Sequence, residues 1–196
     1  GNLVNRTIAM SNKYFEGVVN KTGVCDDVID ADLKSVVTAT RDKVQNKMAS
    51  LHVADAITEV FTLFKRCNKY IDETMPWALA KDEAQQDRLA EVLYNLVESI
   101  TIGANLLKSF MPDTTDKILA QLYPENPSAG VRDFDDLATF GLRESGLKVT
   151  ETPEILFARL DINEIMPKVE EIQAKQRAEA GVEDIEASHP GIDVEK

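Results

Sequence analysis

A chain of 196 residues, 43% hydrophobic and 29% charged, is long enough to bury a substantial core. It has no run near the roughly 18 apolar residues that cross a bilayer and no basic-then-apolar leader at its start. Its two cysteines, Cys25 and Cys67, stand far apart without metal-ligand spacing, as reduced thiols of a cytoplasmic protein do. The net charge of −12 argues against a broad polyanion-binding surface. Residues 161–196, however, carry ten acidic against four basic side chains, a local −6, so the rest of the chain also carries only −6. A polyanion site there must be local and small, reading bases more than phosphates.

The chain starts inside a helical pattern, with no initiator Met, and reads as part of a longer protein. Residues 2–15 place Leu3, Val4, Thr7, Ile8, Met10, Tyr14 and Phe15 along one helical side. Asn2, Arg6 and Lys13 fall on another, within about 40° of one another. Gly17 closes this helix, and residues 18–30 form a loop with Asn20, Gly23 and Asp26–Asp27 as turn signals. A second helix opens near Asp30 and continues through Val36, Val37, Val44 and Met48.

The third helix has the clearest pattern. Val53, Ile57, Val60, Phe64, Cys67 and Ile71 alternate steps of four and three, the spacing of one buried face. The pattern stops at Thr74–Met75–Pro76, because proline has no donor N–H and pushes the residue before it out of helical conformation. Trp77, the chain's only tryptophan, comes next. A large aromatic there is either a plug for the interior or a platform on which something flat can stack, and burial statistics alone favour the plug.

A loop over residues 76–81 leads to a long fourth helix from about Asp82 to Met111. Its seam is Leu89, Leu93, Leu96, Ile100, Gly103, Leu107 and Phe110, with the isolated Gly103 permitting close helix packing. Pro112 ends it, and Asp113–Asp116 caps a fifth helix carrying Ile118, Leu119 and Leu122. Residues 124–130 read as a loop, 134–141 as one or two helical turns, and 147–150 and 155–157 as extended. A last helix runs from about Asp161 or Asn163 to Ala180, with Pro167 in or near its first turns. The expected fold is an all-α helical bundle over residues 1–160, then a C-terminal helix (161–180) and an acidic linker (181–196).

Catalytic chemistry is hard to find. His52 and His189 are the only histidines, and neither has a partner at metal-ligand spacing. There is no glycine-rich phosphate loop, and acid pairs such as Glu170–Glu171 and Asp135–Asp136 read as solvated faces. The positive candidate combines Asn2, Arg6 and Trp77 with Lys13, Lys65, Arg66 and Lys69. Asn2 and Arg6, four apart, are neighbours on a helix face. Arginine only donates while asparagine donates and accepts, so together they can match the mixed edge of a nucleobase. A neighbouring aromatic would add stacking of about 1–3 kcal/mol per base, and splayed single-stranded bases are what proteins read this way in RNA. On spacing alone, Asn2 and Arg6 are equally compatible with ordinary surface residues.

Three blocks, in order, resemble the anticodon-binding domain of bacterial methionyl-tRNA synthetases: residues 1–17 (GNLVNRTIAMSNKYFEG), 68–81 (NKYIDETMPWALAK) and 155–160 (ILFARL). The resemblance implies an α-helical bundle of the class I synthetase type that recognises the CAU anticodon of methionine tRNA. It implies that Trp77 stacks with the anticodon's cytosine, that Asn2 and Arg6 read that base's edge, and that Pro76 sets the loop presenting the ring. Lys13, Lys65, Arg66 and Lys69 are possible phosphate contacts. The family's ATP and methionine sites and its zinc-binding insertion have no counterpart here, so no cofactor, metal ligand or catalytic residue is expected in this stretch. The implied partners are methionine tRNA and a catalytic domain, with the stretch itself a monomer. Two other classes stay open on residues alone: a helical protein–protein adaptor, which an acidic surface suits, and a small all-α enzyme using clustered buried acids.

Overall fold

The computed structural model describes residues 1–26, 28–157 and 161–179. Its elements are α1 (Asn2–Phe15), β1 (Val18–Val19), α2 (Ile29–Ala49), α3 (Val53–Thr74), α4 (Pro76–Leu79), α5 (Gln86–Leu107), α6 (Pro112–Leu122), β2 (Leu147–Lys148) and α7 (Ile162–Glu179). Gly1–Leu156 form one compact unit, and a second begins at Phe157. In the second, α7 carries Pro167 inside the helix, and its described side chains are exposed except for the half-buried Ile165 and Val169. The acidic linker expected over residues 181–196, with His189, lies outside the described residues.

The first unit is built around α5. The sequence shows one seam on this helix, but every residue from Leu89 to Leu107 is buried. A helix with no solvent face must be covered on all sides, and α1, α2, α3 and α6 all pack on it. Its polar residues are therefore bonded inside the protein, as burial requires. Ser99 donates to the Asn95 carbonyl (2.6 Å), and the Asn105 amide donates to the carbonyls of Thr101 and Gly130, both at 2.8 Å. At Gly103, α3 and α5 close on each other as expected: an added Cβ would lie 2.5 Å from Cε1 of Phe64.

Several local expectations differ from the structure. Residues 18–19 and 147–148 pair as a minimal antiparallel ladder, Val18 opposite Lys148, where the sequence predicts a loop for the first pair. Residues 155–157 form no strand. α1 ends one residue earlier than its glycine suggests: Glu16 takes the left-handed conformation (φ 52°), and the N–H groups of Glu16 and Gly17 bond back to Asn12 and Ser11. Residues 76–79 are a short helix rather than a loop, because proline is pre-organised for a helix's first turn. For the same reason Pro112 starts α6, and no aspartate or threonine side chain caps it.

Candidate functional site

The corner between α3 and α4 is made by one residue. The Met75 N–H donates to the Ile71 carbonyl (3.0 Å), closing the last turn of α3. Its own carbonyl accepts from Ala78 N (2.8 Å) and Leu79 N (3.2 Å), opening α4. Met75 does this at φ 45° and ψ 64°, the left-handed region, which for a residue with a Cβ is about 1–2 kcal/mol less favourable than the right-handed one. Pro76 is buried, and α4 packs on α5. Next to the buried proline, Trp77 is 45% exposed and Met75 48%. Among the described residues the indole makes no hydrogen bond and no ring contact. Burial statistics alone favour Trp77 as an interior plug; the structure leaves nearly half of it in solvent.

α1 supplies the polar candidates. Leu3, Val4, Thr7, Ile8 and Ser11 are its buried side, through which it packs on α3 and α5. Asn2 is exposed and Arg6 half-buried, and neither side chain has a hydrogen bond or ion pair among the described residues. This sets Arg6 apart. Arg41 is held by Asp42 (2.8 Å), Asp135 and the Phe134 ring; Arg132 by Glu98 (3.1 Å); and Arg143 by the carbonyls of Leu122 and Leu147. Arg88 forks onto Asp30, both contacts at 2.7 Å. A guanidinium left with open donors on a folded surface is available to an acceptor from outside.

The basic candidates divide. Lys65 is exposed and without a partner among the described residues, Lys13 is exposed with its ammonium 5.3 Å from the Tyr14 ring centroid, and Lys69 is exposed and 3.3 Å from Glu73. Arg66 departs from the phosphate-contact expectation. Its side chain is 8% exposed, Nε donates to Asp32 (2.6 Å), Nη2 to the Ile29 carbonyl (3.3 Å), and Nη1 lies 2.9 Å from Glu73. It belongs to the scaffold, pinning α2 to α3. The signal was available in the sequence: Arg66 falls among Leu63, Cys67 and Tyr70, the buried stripe of α3.

Buried carboxylates, which a carboxylate enzyme would need, are present but committed. Besides Arg88, Asp30 accepts from the Tyr70 hydroxyl (2.7 Å), to which Asn95 donates (3.1 Å). Burial pushes the Asp30 carboxyl upward, but the bonds from Arg88 and Tyr70 and the Arg88 charge outweigh it and hold the group below its ordinary range. A general acid needs the opposite shift. Glu91 accepts from the N–H groups of Thr22 (2.8 Å) and Gly23 (2.7 Å), and Glu98 from those of Gly141 (3.0 Å) and Leu142 (2.9 Å). Burial pushes the Cys67 thiol up to about 12, which makes it inert. Among the described residues no three His, Cys, Asp or Glu side chains gather as a metal site, and no helix is long and apolar enough to cross a membrane.

Comparison with known proteins decides the family. Residues 20–177 match the family model of the anticodon binding domain of methionyl tRNA ligase. The chain belongs to that family. Methionine–tRNA ligase of Clostridium tetani is 40% identical over 174 residues, 89% of this chain, and that of Caldanaerobacter subterraneus subsp. tengcongensis is 40% identical over 191 residues, 95% of it. The chain spans 26% and 28% of their lengths. The apo crystal structure of Mycobacterium tuberculosis methionyl-tRNA synthetase superposes with a TM-score of 0.72 at 28% identity, covering 82% of this chain and 32% of that one. The all-α reading is thus the fold of the anticodon-binding domain. The family match contains the Met75–Trp77 corner, whereas Asn2 and Arg6 precede its first residue.

Proposed function

We propose that this anticodon-binding domain reads the CAU anticodon of methionine tRNA, with Trp77 as the stacking platform for the cytosine and Asn2 and Arg6 as readers of that base's edge. ATP-dependent attachment of methionine is assigned to the catalytic portion of the same cytoplasmic ligase, this domain supplying tRNA specificity as a monomer. The observation that carries the reading is Trp77 itself, 45% exposed just past the corner that Met75 makes before the buried Pro76. The Asn2 and Arg6 side chains, without partners among the described residues, support it. Cytosine offers an N4 donor with N3 and O2 acceptors, which an amide and a guanidinium can meet. Uracil reverses the pattern at the first two positions and leaves a polar group unpaired, a loss of about 1–3 kcal/mol. Lys13, Lys65 and Lys69 are the side chains proposed to meet phosphates, with Arg66 excluded by its ion pairs. In a chain of net charge −12, so few cations make binding modest and salt-dependent.

The test is binding of an anticodon stem-loop. The CAU hairpin is expected to bind about ten- to hundredfold tighter than a UAU hairpin. Trp77→Ala is expected to weaken CAU binding by about the same factor, the worth of one stacked base, with a smaller effect on melting. A large drop in melting temperature with unchanged binding by the folded fraction would return Trp77 to the core and overturn the proposal.

A further inference from the structure

We propose that Met75 is a positioning residue: a one-residue left-handed joint that fixes the direction in which Trp77 offers its ring. The inference rests on the reading of Trp77 as a base platform and adds to it the part that aims the platform. Pro76 disfavours the right-handed helical region for the residue before it, so α3 cannot run on through Met75. An extended Met75 would carry the chain onward, away from the return that buries Pro76 and packs α4 on α5. The left-handed conformation makes that return within a single residue, and both helices are anchored to it by the hydrogen bonds of Met75 N and O. At the end of α3 the buried Thr74 hydroxyl donates to the Tyr70 carbonyl (2.7 Å).

Glycine is the residue that takes this conformation without steric penalty, and it would also admit others. Methionine restricts the joint. It is tolerated because its Cβ is unbranched, whereas a β-branched residue is a genuine outlier at positive φ. Met75 is 48% exposed, so filling the interior does not by itself select a methionine here. The work of this residue is done by its backbone angle.

Three substitutions separate angle from side chain. Asparagine accepts left-handed angles without the thioether, valine rejects them, and glycine permits them without enforcing them. Met75→Asn is expected to keep CAU affinity and the cytosine-over-uracil ratio within about twofold, while Met75→Val loses about tenfold in affinity and its ratio falls toward one. Met75→Gly is expected to fall between them. Acrylamide quenching of the chain's single tryptophan reads the same change in the free protein, and melting curves confirm that each variant is folded. Wild-type affinity and ratio in folded Met75→Val would overturn the proposal, as would equal losses in Met75→Asn and Met75→Val. Should Met75→Val not fold, Met75→Gly decides: unchanged affinity and ratio overturn the joint, and reduced values support it. If wild-type protein does not distinguish CAU from UAU, or Trp77→Ala binds normally, the underlying reading fails and the joint has no platform to aim.

Discussion

The same three kinds of side chain occur in this domain in two conditions, bonded into one network in the interior and open at the surface. In the interior, Arg88, Tyr70 and Asn95 close around Asp30 in a network of bonds between 2.7 and 3.1 Å. At the surface stand Arg6, Trp77 and Asn2, again a guanidinium, an aromatic and an amide, with no partner among the described residues. One carboxylate makes the difference. Where the fold supplies the acceptor, the group becomes part of the scaffold; where it does not, its donors stay open, as the proposed base readout requires. On that proposal, stability and recognition are separable by mutation.

The sharpest way to break the contrast is to open the interior set. Arg88→Met strands the carboxylate of Asp30, whose side chain is 2% exposed, and is expected to lower unfolding free energy by about 3–5 kcal/mol in urea titrations. The same pair gives the pH dependence its sign. Asp30 titrates lower folded than unfolded, so its stabilisation is complete above the ordinary carboxylate range, near pH 4, and fades as pH falls from there through the depressed folded value. The urea midpoint of Asp30→Asn is expected to lack that share of the acid decline. Next in size, Gly103→Ala pushes a methyl into the Phe64 ring and should destabilise by about 1–3 kcal/mol. Trp77→Ala should lower stability by less than the about 3–5 kcal/mol of a fully buried aromatic, while most of its effect shows in hairpin binding. Arg6→Met is expected to leave unfolding free energy within about 0.5 kcal/mol of wild type and to weaken the hairpin complex. A destabilisation by Arg6→Met comparable to that of Arg88→Met would erase the distinction.

How much of this was legible in the sequence follows from what each feature depends on. α1 and α3 could be read because apolar spacing and a proline are local signals, and α3 runs from Val53 to Thr74 as the spacing predicts. The full burial of α5 was not legible: Glu91 and Glu98 break its apolar pattern, and their acceptance into the interior depends on backbone N–H groups at positions 22–23 and 141–142, far along the chain. Two-residue strands are too short for a period-two pattern to show. The corner was half legible. Pro76 signals a break before Trp77, but methionine carries no turn signal, so the left-handed angle of Met75 and the partial exposure of Trp77 are seen only in the folded chain.

The all-round burial of α5 also constrains how the first unit can assemble. Glu98 finds its donors in Arg132, Gly141 and Leu142, and Glu91 finds its own at Thr22 and Gly23. Segments on both sides of the helix in sequence must therefore arrive before its two acids are quiet. A chain ending shortly after α6 would lose the donors of Glu98 together with part of the cover over α5, opening the central helix to water, so such a truncation should melt the whole unit at once instead of trimming its edge, and in the intact chain the amides of α5 should be the last to exchange with heavy water.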